Sequence, residues 1–174
     1  MRLTLIAHPD TLPDQDTMQM EVFFERWDDG RAEISYHLHS DTAELVVPQL
    51  PGGRADGLWR STCFELFVQT EGGYREYNFS PSGAWAAYDF TAYRAAMREA
   101  DMEHAPAIDA EDAGDSFILD AVIDLAGKGR FGLAAVIEER CGTKSYWALA
   151  HPPGKPDFHH EACFAATLPP IDEA

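Results

Sequence analysis

Residues 58–90, LWRSTCFELFVQTEGGYREYNFSPSGAWAAYDF, carry three consecutive strands joined by two tight turns. The turns fall at Glu71-Gly72-Gly73 and Ser80-Pro81-Ser82-Gly83, where Gly supplies positive φ and Pro presets the bend. Side chains alternate across a strand, so Phe64, Leu66 and Val68 share one face and Cys63, Glu65, Phe67 and Gln69 the other. The first row reads as core. In the next strand Arg75, Tyr77 and Phe79 oppose Tyr74, Glu76 and Asn78. Pairing the two strands puts Glu65, Glu76 and Asn78 on one sheet face among aromatic rings.

Working outward, residues 3–7 form a short apolar strand that ends at His8-Pro9, and residues 10–17 form a polar loop. Residues 20–27 and 31–39 alternate around Asp28-Asp29-Gly30, a hairpin signal. Residues 44–48 read as a short Val-rich strand. Beyond the meander, residues 93–104 lack a strand's alternation, which leaves one short helix or an irregular crossover. Residues 105–115 are an Ala, Asp and Pro-rich connection. Alternation resumes in residues 117–125, and residues 131–139 and 145–149 form another hairpin around Cys141-Gly142-Thr143. A loop, HPPGKPDFHH at residues 151–160, precedes a closing strand near residues 162–168.

About ten short strands with at most one short helix predict an all-β fold, an antiparallel β-sandwich. A parallel α/β sheet needs crossover helices that this pattern lacks. The 174 residues fit a single domain spanning 1–174. Phe64, Leu66, Val68, Leu119, Ile123 and Leu133 are its expected core.

The formal net charge is −17. That argues against a nucleic-acid partner, which needs a basic footprint, and against anionic membrane surfaces. No run reaches the roughly 20 apolar residues of a membrane span, and the first residues lack a basic segment followed by an apolar one. Cys63, Cys141 and Cys163 are odd in number and widely spaced, so free thiols and a cytoplasmic location are expected.

The motif built from Leu58-Trp59, Cys63-Phe64-Glu65-Leu66-Phe67 and the run from Tyr74 to Gly83 resembles the DOMON-like superfamily, which includes family-nine carbohydrate-binding modules. The region around Tyr146-Trp147-Ala148-Leu149 and residues 151–160 is similar to the C-terminal part of bacterial members. The resemblance implies a jelly-roll-like sandwich that binds sugar or haem over one sheet, without catalysis. Ser61-Thr62 stand where the sugar-binding modules usually carry acidic residues after the Trp.

The candidate ligand contacts are Trp59, Glu65, Glu76, Asn78 and Trp85. Carboxylates and an amide suit the hydroxyls of a carbohydrate or another polar small molecule, and flat rings suit its C–H faces. Each has a plainer reading: Trp59 as an edge plug, the polar trio as a solvated sheet face, and Trp85, which alternates with Ala87 and Asp89, as core. A haem-binding domain is the alternative, with Met18, Met20, His37 and His39 as the available ligands. A metal site is not expected, because His151, Asp157, His159 and His160 have poor ligand spacing; their loop could instead rim a ligand pocket, as long loops at the edge of a sandwich often do. Paired Glu65 and Glu76 could also serve a glycosidase, although no nucleophile elbow or phosphate loop accompanies them.

Overall fold

The glycine turns close where the sequence puts them. In a computed structural model describing residues 1–14, 17–40 and 45–170, Gly30, Gly72 and Gly83 take φ of 88°, 91° and 83° at the three hairpin turns. The strands are β1 (Arg2–Ala7), β2 (Gln19–Arg26), β3 (Arg31–His39), β4 (Gly53–Arg54), β5 (Cys63–Thr70), β6 (Gly73–Phe79) and β7 (Ala84–Phe90). They continue as β8 (Arg98–Glu99), β9 (Ala107–Asp112), β10 (Ser116–Asp124), β11 (Arg130–Glu138), β12 (Lys144–Ala148) and β13 (Ala166–Thr167). The described residues contain no α-helix, only two 3₁₀ turns at Leu58–Arg60 and Glu161–Cys163. Among the described residues no helix is long and apolar enough to cross a membrane.

The strands form one curled sheet in the order β4-β7-β6-β5-β11-β12-β1-β2-β3-β10-β9, with β8 on β7 and β13 on β11. Strand β1 makes the corner. Its residues from Arg2 to Leu5 pair with β2, while Ile6 and Ala7 pair with β12, so the sheet folds over into two layers. Layer one is β1, β2, β3, β10 and β9; layer two holds the central meander with β11 and β12. Among the described strands only the short β4–β7 contact is parallel.

The core between the layers follows from period-two alternation. Phe64, Leu66, Val68, Leu119, Ile123 and Leu133 are all buried in it, as expected. Rings join the layers: Tyr36 lies 5.1 Å from Phe64, and Phe24 stacks 4.8 Å from Phe131. The result is the β-sandwich read from the sequence.

Several local expectations change. The connection at residues 105–115 contains β9, an edge strand on β10 whose Ile108 and Ala110 alternate with Asp109 and Glu111. Its acidic side hid a half-buried strand. Residues 93–104 form the irregular crossover rather than a helix, apart from β8. The closing strand shortens to β13, because residues 161–163 turn tightly against the sheet. Of residues 44–48, Glu44 lies outside the described residues, as do Gln15 and Asp16 of the first loop; Leu45 makes a single bridge to Glu139.

Layer two is covered on both sides. Its second face carries Cys63, Phe67, Tyr74, Ala86, Tyr88, Phe90, Ala134 and Val136, buried beneath Phe158 and Phe164 of the segment following β12. Gly132 allows that segment to lie close, since a Cβ there would meet the Cys163 carbonyl oxygen at 2.6 Å. Gly132→Val is expected to cost roughly 1 to 3 kcal/mol and to lift the segment from the sheet. Cys141 is exposed while Cys63 and Cys163 are buried. A thiol reagent applied to native protein should therefore reach Cys141 alone in the wild type, and Cys163 as well in the variant. Unchanged protection of Cys163 would contradict this role for Gly132.

Candidate functional site

Alternation along β5 and β6 delivers Glu65, Glu76 and Asn78 to this second face, and antiparallel register decides how they meet. Glu65 lies opposite Asn78, and Glu76 lies opposite both Phe67 and Tyr88, so the two acids are diagonal neighbours. A cavity of about 800 Å³ opens above them. Its floor includes Glu65, Glu76, Tyr88, Phe90 and Val136. Three segments wall it: residues 56–60, the crossover at 94–99, and the loop at 156–159.

The acids are buried rather than solvated. Glu65 is 3% exposed and Glu76 is 5% exposed. Asn78 lies beneath them, its Nδ2 donating to Glu76 Oε1 at 2.8 Å. Glu65 Oε1 has no hydrogen-bond partner, and neither has Asn78 Oδ1. A buried polar atom without a partner is costly, and a carboxyl that keeps its proton or meets a group from the cavity relieves that cost.

Trp59 stands on the rim, 52% exposed, with the Arg60 guanidinium 5.4 Å over its ring. It sits there because Gly57, in the left-handed region, starts the 3₁₀ turn that leads into β5. Trp59 lines the cavity, so it is not a plug of the sandwich edge. Trp85 is the correction. It shares the face of Ala87 and packs against the core between the layers, because it stands three positions, an odd step, before Tyr88 on the cavity side. The structure thus brings Trp59, Glu65 and Glu76 to the cavity, puts Asn78 directly below, and leaves Trp85 on the other side of the sheet.

His159 comes from the Pro-rich loop. Its Nδ1 meets the Tyr74 hydroxyl at 2.7 Å and its Nε2 lies 3.6 Å from Glu76 Oε2. Its ring sits edge-on to Phe67 and Phe90. The loop is clamped to the crossover through Asp157, which accepts from Tyr93 at 2.6 Å and from the Arg94 guanidinium at 2.8 Å. Arg94 has φ of 50°, and its backbone N–H donates to the Tyr74 hydroxyl at 3.1 Å. A non-glycine residue in that region is held by its contacts. On the opposite wall, Tyr88 donates to Asp56 at 2.5 Å.

Burial sets the protonation of the floor. It pushes the Glu76 carboxyl up to about 7, against the pull of the Asn78 amide and of Arg94. Glu65 is pushed well above the carboxylate range by burial and then by the neighbouring charge of Glu76. Burial pushes His159 the other way, down to about 4, helped by Arg94. Between those two values the contact of Glu76 with His159 is a neutral acid beside a neutral imidazole. It is no ion pair.

The other sequence candidates separate. Met18 and Met20 point into the core between the layers, while His37 and His39 emerge on the outer face of β3, so these residues do not converge on one ligand position. In the C-terminal loop, His151 contacts the Ile6 carbonyl and His160 Nδ1 accepts from the Ala162 N–H. Asp157 and His159 have the partners already described.

Sequence reading missed Tyr88, Phe90, Arg94 and Tyr146 as cavity residues, and it reached His159 only as part of a loop that could rim a pocket. For Tyr88 the signal was its alternation opposite Trp85, and the register of β6 on β7 supplies the rest. The position of His159 depends on a long-range contact that no local pattern encodes.

No family model and no curated protein matches the chain. Solved structures do. A proposed carbohydrate-binding protein from Bacteroides uniformis is similar with a TM-score of 0.56 at 13% identity, over 94% of this chain and 83% of its own. A family-nine carbohydrate-binding module from Caldicellulosiruptor kristjanssonii in complex with glucose gives 0.54 at 10% identity, over 80% and 71%. Its complex with cellotriose gives 0.53 at 9%, over 80% and 69%. The likeness is one of fold.

Proposed function

We propose that the chain is a noncatalytic module of the DOMON-like type that binds carbohydrate in the cavity on the second face of layer two. The observation that carries this reading is the unpartnered, buried Glu65 Oε1 at the floor of a cavity whose rim holds the half-exposed Trp59. Acids below and rings around suit a polyhydroxylated ring with apolar C–H faces. The reading is in keeping with the fold shared with modules that hold glucose and cellotriose. A noncatalytic role is in keeping with the fold neighbours, which are described as carbohydrate-binding modules and a carbohydrate-binding protein.

The test is a thermal-shift series with glucose, cellotriose and a panel of other mono- and oligosaccharides. At about one hundred times its Kd, a ligand that binds only the folded state stabilises it by about 2.7 kcal/mol, a shift of several degrees. Trp59→Ala should weaken that binding by roughly tenfold or more while changing the melting temperature of the free protein little, because the ring is exposed. A panel without a single shift, or a variant that binds like the wild type, would contradict the proposal.

A further inference from the structure

The floor of the cavity is poor in available donors. The Asn78 amide donates to Glu76, the Tyr88 hydroxyl to Asp56, and the Arg94 guanidinium to Asp157, while His159 Nδ1 is taken up with Tyr74. What remains is the carboxyl pair, the orphaned Glu65 Oε1 with Glu76 beside it. Among the described residues no arginine or lysine forms an ion pair with either carboxyl; His159 Nε2, 3.6 Å from Glu76 Oε2, belongs to a neutral imidazole at neutral pH. The arginines of the cavity stand on its walls and are occupied, Arg94 with Asp157, Arg98 with Asp89, and Arg60 over the Trp59 ring.

We propose that this floor takes a protonated amine, so that the preferred ligand is an amino sugar with its ammonium group set between Glu65 and Glu76. The inference rests on the saccharide-binding reading above and narrows it. A hydroxyl can be met by neutral carboxyls, which donate as well as accept, but it brings no charge to them. An ammonium brings three donors and no lone pair. Among common sugar substituents it adds the positive charge that would hold both acids as carboxylates.

Two further features fit. The rings of Tyr88, Phe90 and Phe158 line the same cavity, and aromatic rings attract cations. Burial holds both carboxyls toward the neutral form against the more distant pull of Arg94, which forms no ion pair with either. A bound ammonium returns them to carboxylates, with the displaced protons passing to solvent, and turns two buried acids into charge-assisted acceptors. The formal charge of −17 draws cations toward the molecule as a whole.

Calorimetric titration at neutral pH with glucosamine, glucose and N-acetylglucosamine tests the inference in wild-type protein and in Glu65→Gln. The N-acetyl sugar keeps the substituent and removes its charge. Glucosamine should bind the wild type roughly tenfold or more tighter than either neutral sugar. In Glu65→Gln, checked for an unchanged circular-dichroism spectrum, the three affinities should approach one another. Equal binding of glucose and glucosamine by the wild type would overturn the amine preference and leave saccharide binding intact. So would a preference that survives in the variant, or binding confined to other neutral saccharides of the thermal-shift panel. If no saccharide binds at all, the amine inference falls together with the reading beneath it.

Discussion

Truncating Phe64 to alanine is expected to cost about 3 to 5 kcal/mol, which in a chain of this size lowers the melting temperature by roughly 10 °C or more. Phe64 is fully buried where the two layers meet, against Tyr36 of β3 and facing Phe117 of β10. Removing the ring takes away apolar burial and leaves a cavity that rigid strands on both sides fill only in part. The effect should reach the candidate site, because the Tyr36 hydroxyl beside Phe64 donates to the Glu65 carbonyl at 2.8 Å and fixes the strand that carries Glu65. Denaturant unfolding measures the loss. A cost below about 1 kcal/mol would mean that the layers do not pack at this position.

The second large effect depends on pH. Glu76→Gln should leave stability nearly unchanged near pH 4 and raise it by about 3 kcal/mol above pH 7, from a shift of the carboxyl from 4.5 to about 7 at roughly 1.4 kcal/mol per unit. The direction follows from which state releases its proton first. A carboxyl held neutral in the fold ionises first in the unfolded chain, so its contribution is full below the unfolded value and is lost as pH rises to about 7. His159 works in the opposite sense. Its value falls from 6.5 to about 4 on folding, so its contribution is gained as pH rises between those two limits. In the wild type the two slopes offset one another across much of this range, and Glu76→Gln should expose the rising slope of His159. Glutamine keeps an oxygen for the Asn78 amide, whereas alanine would strand that donor. Urea midpoints at acidic, neutral and mildly alkaline pH measure the difference. A variant less stable than the wild type at alkaline pH would show that the Glu76 carboxylate is held charged by a partner.

The sandwich was legible because its information is local. Gly30, Gly72 and Gly83 announce the turns, and period-two alternation from Phe64 to Val68 and from Phe117 to Leu125 separates the core face from the other. The same alternation put Glu65, Glu76 and Asn78 together. It also held the evidence against Trp85, whose odd separation from Tyr88 sends it to the core face. What could not be read is the cover over the second face. Sequence alternation predicts two faces for each strand, but it does not say that residues 151–164 return to bury one of them. For that reason Glu76 reads as exposed in sequence and is buried in the fold. Strand β9 escaped for a different reason, since an edge strand with an acidic outer side has too few apolar residues to mark its period.

Chemical-shift mapping during a glucosamine titration asks directly whether the second face of layer two is where ligand binds. Amide and side-chain signals of Glu65, Glu76, Tyr88, Arg94 and His159, together with the Trp59 indole, should move with one saturating dependence on ligand. Signals of His37 and His39 on the outer face of β3 should stay in place. Shifts confined to the outer face of layer one, or a cavity that stays silent while another saccharide is shown to bind elsewhere, would contradict the assignment of this cavity as the binding site.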